Sequence, residues 1–101
     1  MKILFIDDIR FPTRWHNIGE NANNITVARS YKEAIDCLDN TYDIVSFDHD
    51  LGEEKTGYDI AKYMIENGIR VNIGIVVHTA NPVGAFNIIQ LMTHYGYTII
   101  K

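Results

Sequence analysis

Apolar residues fall in short dense runs separated by longer stretches of mixed pattern. Lys2 to Ile6 is almost continuously apolar, the texture of a strand buried on both faces of a parallel sheet. The same texture returns over Tyr42 to Phe47 and Ile73 to Val77, with shorter runs at Ile25 to Ala28 and Tyr97 to Ile100. Between these runs the spacing turns helical. Ser30 and Glu33 make an S-x-x-E capping box ahead of a helix whose apolar stripe is Ala34, Ile35 and Leu38. A second helix is predicted from Tyr58 to Asn67, with Ile60, Ala61, Met64 and Ile65 inward and Gly68 as its left-handed end. Asn81 and Pro82 read as N-cap and first residue of a third, carrying Ala85, Ile88, Ile89 and Met92 on one face and ended by Gly96. Arg10 to His16 has a poor helical pattern, and Pro12 limits any helix there to its own start. A short or distorted helix is expected, followed by a polar loop from Asn17 to Asn24.

Strands alternating with helices imply an α/β domain: a parallel five-stranded sheet, helices on both faces, right-handed crossovers. One domain spanning residues 1–101 is expected, near the small end of what folds alone. In such sheets ligands bind outside the carboxyl ends of the strands. Those ends are where the charged residues gather: Asp7-Asp8 after the first strand, Asp48-His49-Asp50 after the third, His78-Thr79 after the fourth.

Composition narrows the classes. The chain is 47% hydrophobic and 22% charged, ordinary globular material, and no apolar run approaches the ~18 residues of a membrane span. The first strand runs into acids and so does not read as a signal peptide. A single cysteine, Cys37, excludes an internal disulfide, fits a reducing cytoplasm and reads as a packing residue. A net charge of −4 argues against a broad nucleic-acid surface while leaving room for a local basic pocket.

Asp7, Asp8, Asp48 and Asp50 converging on one sheet edge would repel unless a cation lay among them. Oxygen-rich clusters suit Mg²⁺ or Mn²⁺, and imidazole from His49 or His78 widens the choice to Fe²⁺ or Zn²⁺. Either histidine is a candidate catalytic acid–base. His49 alternates against Asp48 along the chain, which also allows it to point to a neighbouring loop. The helix start at Asn81-Pro82 offers unpaired N–H groups to phosphate. Arg10 is a candidate phosphate clamp, and Lys101 a charge-neutralising group. Structural roles remain open beside these: a loop cap for Asp50, an N-cap alone for Asn81, a surface ion pair for Arg10, a satisfied strand-end ring for His78. Trp15 suits either packing over the sheet edge or stacking on a base; His16 and His94 read as solvent-facing.

The positions Asp7-Asp8, Asp48, Thr79 and Lys101 resemble those of a response-regulator receiver domain. Asp7-Asp8-Ile9-Arg10-Phe11-Pro12, the unbroken Ser46-Phe47-Asp48-His49-Asp50-Leu51-Gly52, and His78-Thr79-Ala80-Asn81-Pro82 resemble more closely a variant, the cyclic-phosphate processing receiver domain family. The resemblance implies a flavodoxin-like strand order of 2-1-3-4-5, and with the sequence stopping right after the expected fifth strand the final helix of ordinary receivers is expected to be lacking. It also implies a phosphate site including Thr79 and Lys101, and a metal site in which Asp48 is ligand or nucleophile and the Asp50 backbone carbonyl assists. The function it implies is a metal-dependent phosphoesterase acting on a cyclic nucleotide or on an RNA end carrying a 2′,3′-cyclic phosphate. Two alternatives stand beside it: a stand-alone receiver phosphorylated on Asp48, and a protein that sequesters a nucleotide without turnover. Absence of the final helix would expose the last strand, so a homodimer covering it is expected.

Overall fold

A computed structural model describes residues 1–10 and 24–100. Four parallel strands form one sheet: β1 (Ile3–Ile6), β2 (Ile25–Ala28), β3 (Ile44–Phe47) and β4 (Gly74–Val77), in the order β2-β1-β3-β4. Three helices are described: α1 (Tyr31–Cys37), α2 (Gly57–Glu66) and α3 (Pro82–His94). The expected first helix and the loop after it, with Trp15 and His16, lie outside the described residues, as does Lys101.

Local signals set the helix starts. The Ser30 side chain accepts the Glu33 N–H at 3.1 Å, and the Glu33 carboxylate turns back to accept the Arg29 N–H at 2.8 Å. Asn81 caps α3 by accepting the Gly84 N–H at 3.0 Å, with Pro82 in the first turn. α2 begins at Gly57 rather than Tyr58, because Asp59 accepts the Thr56 N–H at 2.8 Å and closes the first turn there. Gly68 takes φ 65° at the helix end, as its position predicts.

The strands alternate between two cores. Leu4, Ile6, Val45, Phe47 and Ile75 join Ala34 of α1, Ile60, Ala61 and Met64 of α2, and Ile88 and Met92 of α3 in the larger one. Ile3, Phe5, Ile44 and Val76 form the smaller core on the opposite face, with Ile25, Val27 and Ile100 packed against it. All three described helices therefore cover the same face of the sheet, and Cys37 packs against the larger core as a hydrophobe.

The expected fifth strand, Tyr97 to Ile100, is not formed. The segment meets β4 at a single parallel bridge, Ile75 to Ile99, so among the described residues the sheet has four strands in the order 2-1-3-4, without the fifth of 2-1-3-4-5. Its start is committed elsewhere. The Tyr97 ring is buried, its hydroxyl donates to the Ile69 carbonyl, and the Arg70 guanidinium lies 4.1 Å over its centroid. Only Thr98 to Ile100 remain to run beside β4. They exchange two bonds with Ile75: its N–H donates to the Thr98 carbonyl, and the Ile100 N–H to its carbonyl, each at 2.8 Å.

Candidate active site

Sheet register builds the site. Ile6 lies opposite Phe47, and Phe47 opposite Val77, so the next residues along the three strands are Asp7, Asp48 and His78. Backbone bonds continue the ladder there: the Asp48 N–H donates to the Ile6 carbonyl at 2.9 Å and the His78 N–H to the Phe47 carbonyl at 2.9 Å. Two-residue alternation points all three side chains to the face of Phe5, Ser46 and Val76. One ligand atom from each of Asp7, Asp48 and His78 comes within 4.8 Å of the others.

His78 lies flat across the strands. Its ring stacks on Phe5 with centroids 4.5 Å apart and planes 7° from parallel. Nδ1 meets Ser46 Oγ at 2.7 Å and Nε2 meets Asp7 Oδ2 at 3.0 Å. Burial pulls the His78 pKa below its ordinary value although the Asp7 carboxylate pushes it up. The neutral ring must donate from Nε2, because an ionised carboxylate only accepts, so Ser46 donates to Nδ1. Hydroxyl, imidazole and carboxylate here follow the order of a nucleophile–base–orienter array. Ser46 is 1% exposed, however, so its hydroxyl serves to orient the ring.

Asp7 is fully buried and fully engaged. Oδ1 accepts the Ile9 N–H at 3.0 Å and the Arg10 N–H at 2.8 Å; Oδ2 meets His78 and, at 3.3 Å, Arg10 Nε. Burial pushes its pKa up, but the two backbone N–H groups, His78 and the Arg10 charge outweigh it, and the net shift is downward. Asp48 differs. Its Oδ2 lies 3.8 Å from Arg10 Nη2, and its Oδ1 is the one buried side-chain oxygen or nitrogen without a hydrogen-bond partner among the described residues. A lone acceptor of this kind suits a ligand that supplies positive charge. Two carboxylates with one oxygen free fit a hard divalent ion, with His78 bracing Asp7 from behind.

The alternate residues sit on the helix side. The Asp8 carboxylate lies against Gly52. His49 packs on α3 so closely that a Cβ at Gly84 would come within 2.4 Å of its ring, and its Nδ1 meets Asp50 Oδ1 at 3.0 Å. Asn81 Nδ2 donates to Asp50 Oδ2 at 3.3 Å. The His49 and Asn81 bonds hold the Asp50 pKa below its usual value, so Asp50 only accepts and the proton rests on His49 Nδ1. In the neutral ring Nε2 is left as an acceptor. Thr79 Oγ1 accepts the Asn81 N–H at 3.1 Å, tying it into the turn before α3. On the other flank, a Cβ at Gly57 would meet the Asp48 carbonyl at 2.0 Å, so only glycine lets α2 start this close to the rim.

Two contributors carried no assigned role in the sequence reading. Ser46 betrays itself as a polar residue inside an otherwise apolar buried strand. Arg29 follows Ala28, the partner of Ile6, and its Nη1 donates to the carbonyls of Asp7, at 3.1 Å, and Arg10, at 2.5 Å. No signal short of strand pairing would have found it.

The family model described as cyclic-phosphate processing Receiver domain matches residues 2–94. No curated protein matches the sequence. Among solved structures, the signal receiver domain of a Luxo repressor protein from Vibrio parahaemolyticus superposes with a TM-score of 0.63 at 17% identity, covering 97% of this chain and 74% of the other. A fusion protein carrying amino acids 181–211 of the yeast Spc42 trimeric coiled coil superposes at 0.61 with 22% identity, covering 97% and 67%. At these identities the structures speak for the receiver fold alone.

Proposed function

Because the chain belongs to the cyclic-phosphate processing receiver domain family, we propose that it is a metal-dependent phosphoesterase that opens a cyclic phosphate, either a cyclic nucleotide or an RNA 2′,3′-cyclic phosphate end. Water adds to phosphorus, one ester P–O bond breaks, and the departing oxygen takes up a proton. The observation that carries the reading is the free, buried Oδ1 of Asp48 beside an ionised Asp7 and a guanidinium.

Asp7 and Asp48 would hold the ion, Mg²⁺ or Mn²⁺ by their oxygen donors; Fe²⁺ or Zn²⁺ would require His78 Nε2 to give up its proton and its bond to Asp7. When bound, it would neutralise charge building on the phosphoryl oxygens. Arg10, with its side chain 48% exposed, presents a planar donor fork to the same oxygens. His49, braced by Asp50, has the free nitrogen needed to take a proton from water and return it to the leaving oxygen. His78 keeps Asp7 oriented through Nε2. Thr79 and Asn81 shape the turn beside the phosphate, and Asp8 and Asp50 support the rim. Lys101 retains only the charge-neutralising role that its resemblance to a receiver-domain position implies.

The free Asp48 oxygen equally suits a phosphoacceptor, which keeps the receiver reading alive. Incubation with 2′,3′-cyclic nucleotides, 3′,5′-cyclic nucleotides, cyclic dinucleotides and cyclic-phosphate RNA ends, in Mg²⁺ or Mn²⁺, decides between them. We expect a monoester from at least one. No turnover of any, together with stable labelling of Asp48 by acetyl phosphate, would transfer the protein to the signalling class.

A further inference from the structure

Arg10 stands where a cation is wanted, and it fills the space between Asp7 and Asp48 that an ion held by both would need. A carboxylate offers about four acceptor positions. Three on Asp7 are taken by hydrogen bonds from the N–H groups of Ile9 and Arg10 and from His78 Nε2, and Arg10 Nε lies beside Oδ2 as an ion pair at 3.3 Å. Three of the four belong to backbone or to a ring stacked on Phe5; the guanidinium is the one partner on a half-exposed side chain. It spans both acids, with Nε on Asp7 and Nη2 toward Asp48, while Nη1 donates to the His78 carbonyl at 3.3 Å.

The backbone of Arg10 is pinned at both ends of the residue. Its N–H donates to Asp7 and its carbonyl accepts from Arg29. Only the side chain can move. A divalent ion drawn to the free Asp48 oxygen would repel a guanidinium that spans the same two carboxylates. Displaced from the acids, it would still hang over the rim, tethered by a fixed Cα.

We propose that Arg10 is the site's internal counter-ion. It holds Asp7 and Asp48 together in the metal-free protein, competes with the divalent ion for them, and once displaced turns its fork to the phosphate. This rests on the metal-site reading above. Metal and phosphate then bind in mutual support, because each frees or occupies the group the other needs.

Mn²⁺ titrated calorimetrically into wild type, Arg10→Gln, Arg10→Lys and Asp48→Asn, without and with inorganic phosphate, tests the proposal. Arg10→Gln is expected to tighten Mn²⁺ about tenfold without phosphate, equivalent to about 1.4 kcal/mol. Phosphate is expected to tighten Mn²⁺ severalfold in wild type and to do nothing in Arg10→Gln. Unchanged or weaker Mn²⁺ binding in Arg10→Gln, with binding lost in Asp48→Asn, overturns the counter-ion role and leaves the metal site standing. Wild-type affinity in Asp48→Asn removes the metal site, and the counter-ion role with it. Should Arg10→Gln lose its circular-dichroism signature of folding, Arg10→Lys decides. A single ammonium cannot bridge both acids as the fork does, so Mn²⁺ should still tighten severalfold, and unchanged affinity overturns the proposal.

Discussion

On the face away from the described helices, Asp7, Asp48 and His78 are largely buried, only partly charge-compensated by Arg10, and held by a ring stack and short bonds. One residue further along each strand, Asp8 lies against Gly52, His49 packs on α3 and pairs with Asp50, and Thr79 ties into the turn before α3. Strand pleating alone separates the two sets, since successive side chains leave opposite faces. The first set has the low-dielectric surroundings that make charge valuable to a bound ion. The second has the freer imidazole. Asp48 and His49 are nonetheless consecutive, so under the proposed function one ligand at the end of β3 would have to meet both. Their Cα atoms are about 3.8 Å apart. Under the proposed function the labour would divide accordingly, with charge and phosphorus on one side and proton transfer on the other.

Breaking the buried side should cost most. His78→Ala removes the Phe5 stack and strands the Ser46 hydroxyl, for a loss of about 2–3 kcal/mol. Urea unfolding measures it, and a loss below about 0.5 kcal/mol would mean that the ring holds nothing together. Gly84→Ala attacks the other side. The added methyl must push the His49 ring away at a cost of about 1–3 kcal/mol, less roughly 1 kcal/mol regained in helix propensity. Turnover should fall while Mn²⁺ affinity holds; a parallel loss of metal binding would show that the two sides are not separable.

The smallest effect is a slope. His78 has its pKa depressed in the fold, so an unfolded chain protonates it near pH 6.5 while the folded chain still does not. Between 6.5 and the lower folded value the unfolded state binds more protons, so stability falls as pH falls. Replacing His78 with Gln should flatten that part of the stability–pH curve. An unchanged slope would place the titration elsewhere.

Much of the scaffold was legible because its signals are local. The Ser30 and Asn81 caps, the left-handed Gly68 and the apolar faces of α2 and α3 each depend on neighbours within a turn or two. Tyr97 to Ile100 misled for the converse reason. Its β-branched and aromatic residues suit a strand, but Tyr97 is captured by Ile69 and Arg70, and that capture is invisible at short range. The four acids likewise read as one cluster, although only Asp7 and Asp48 share a ligand-sized space with His78.

By itself the sequence determined that three strands end in ionisable residues, because an apolar run cut short by acids can only be a strand reaching solvent or a site. It determined where the three described helices start to within a residue, because capping is chemistry between near neighbours. The tertiary structure alone decided which of two consecutive residues faces the buried side. It also decided that Ser46 and Arg29 belong with Asp7, and that one oxygen of Asp48 is left without a partner. Those facts depend on register between strands tens of residues apart, and pairing across such distances leaves no mark on either strand's own pattern.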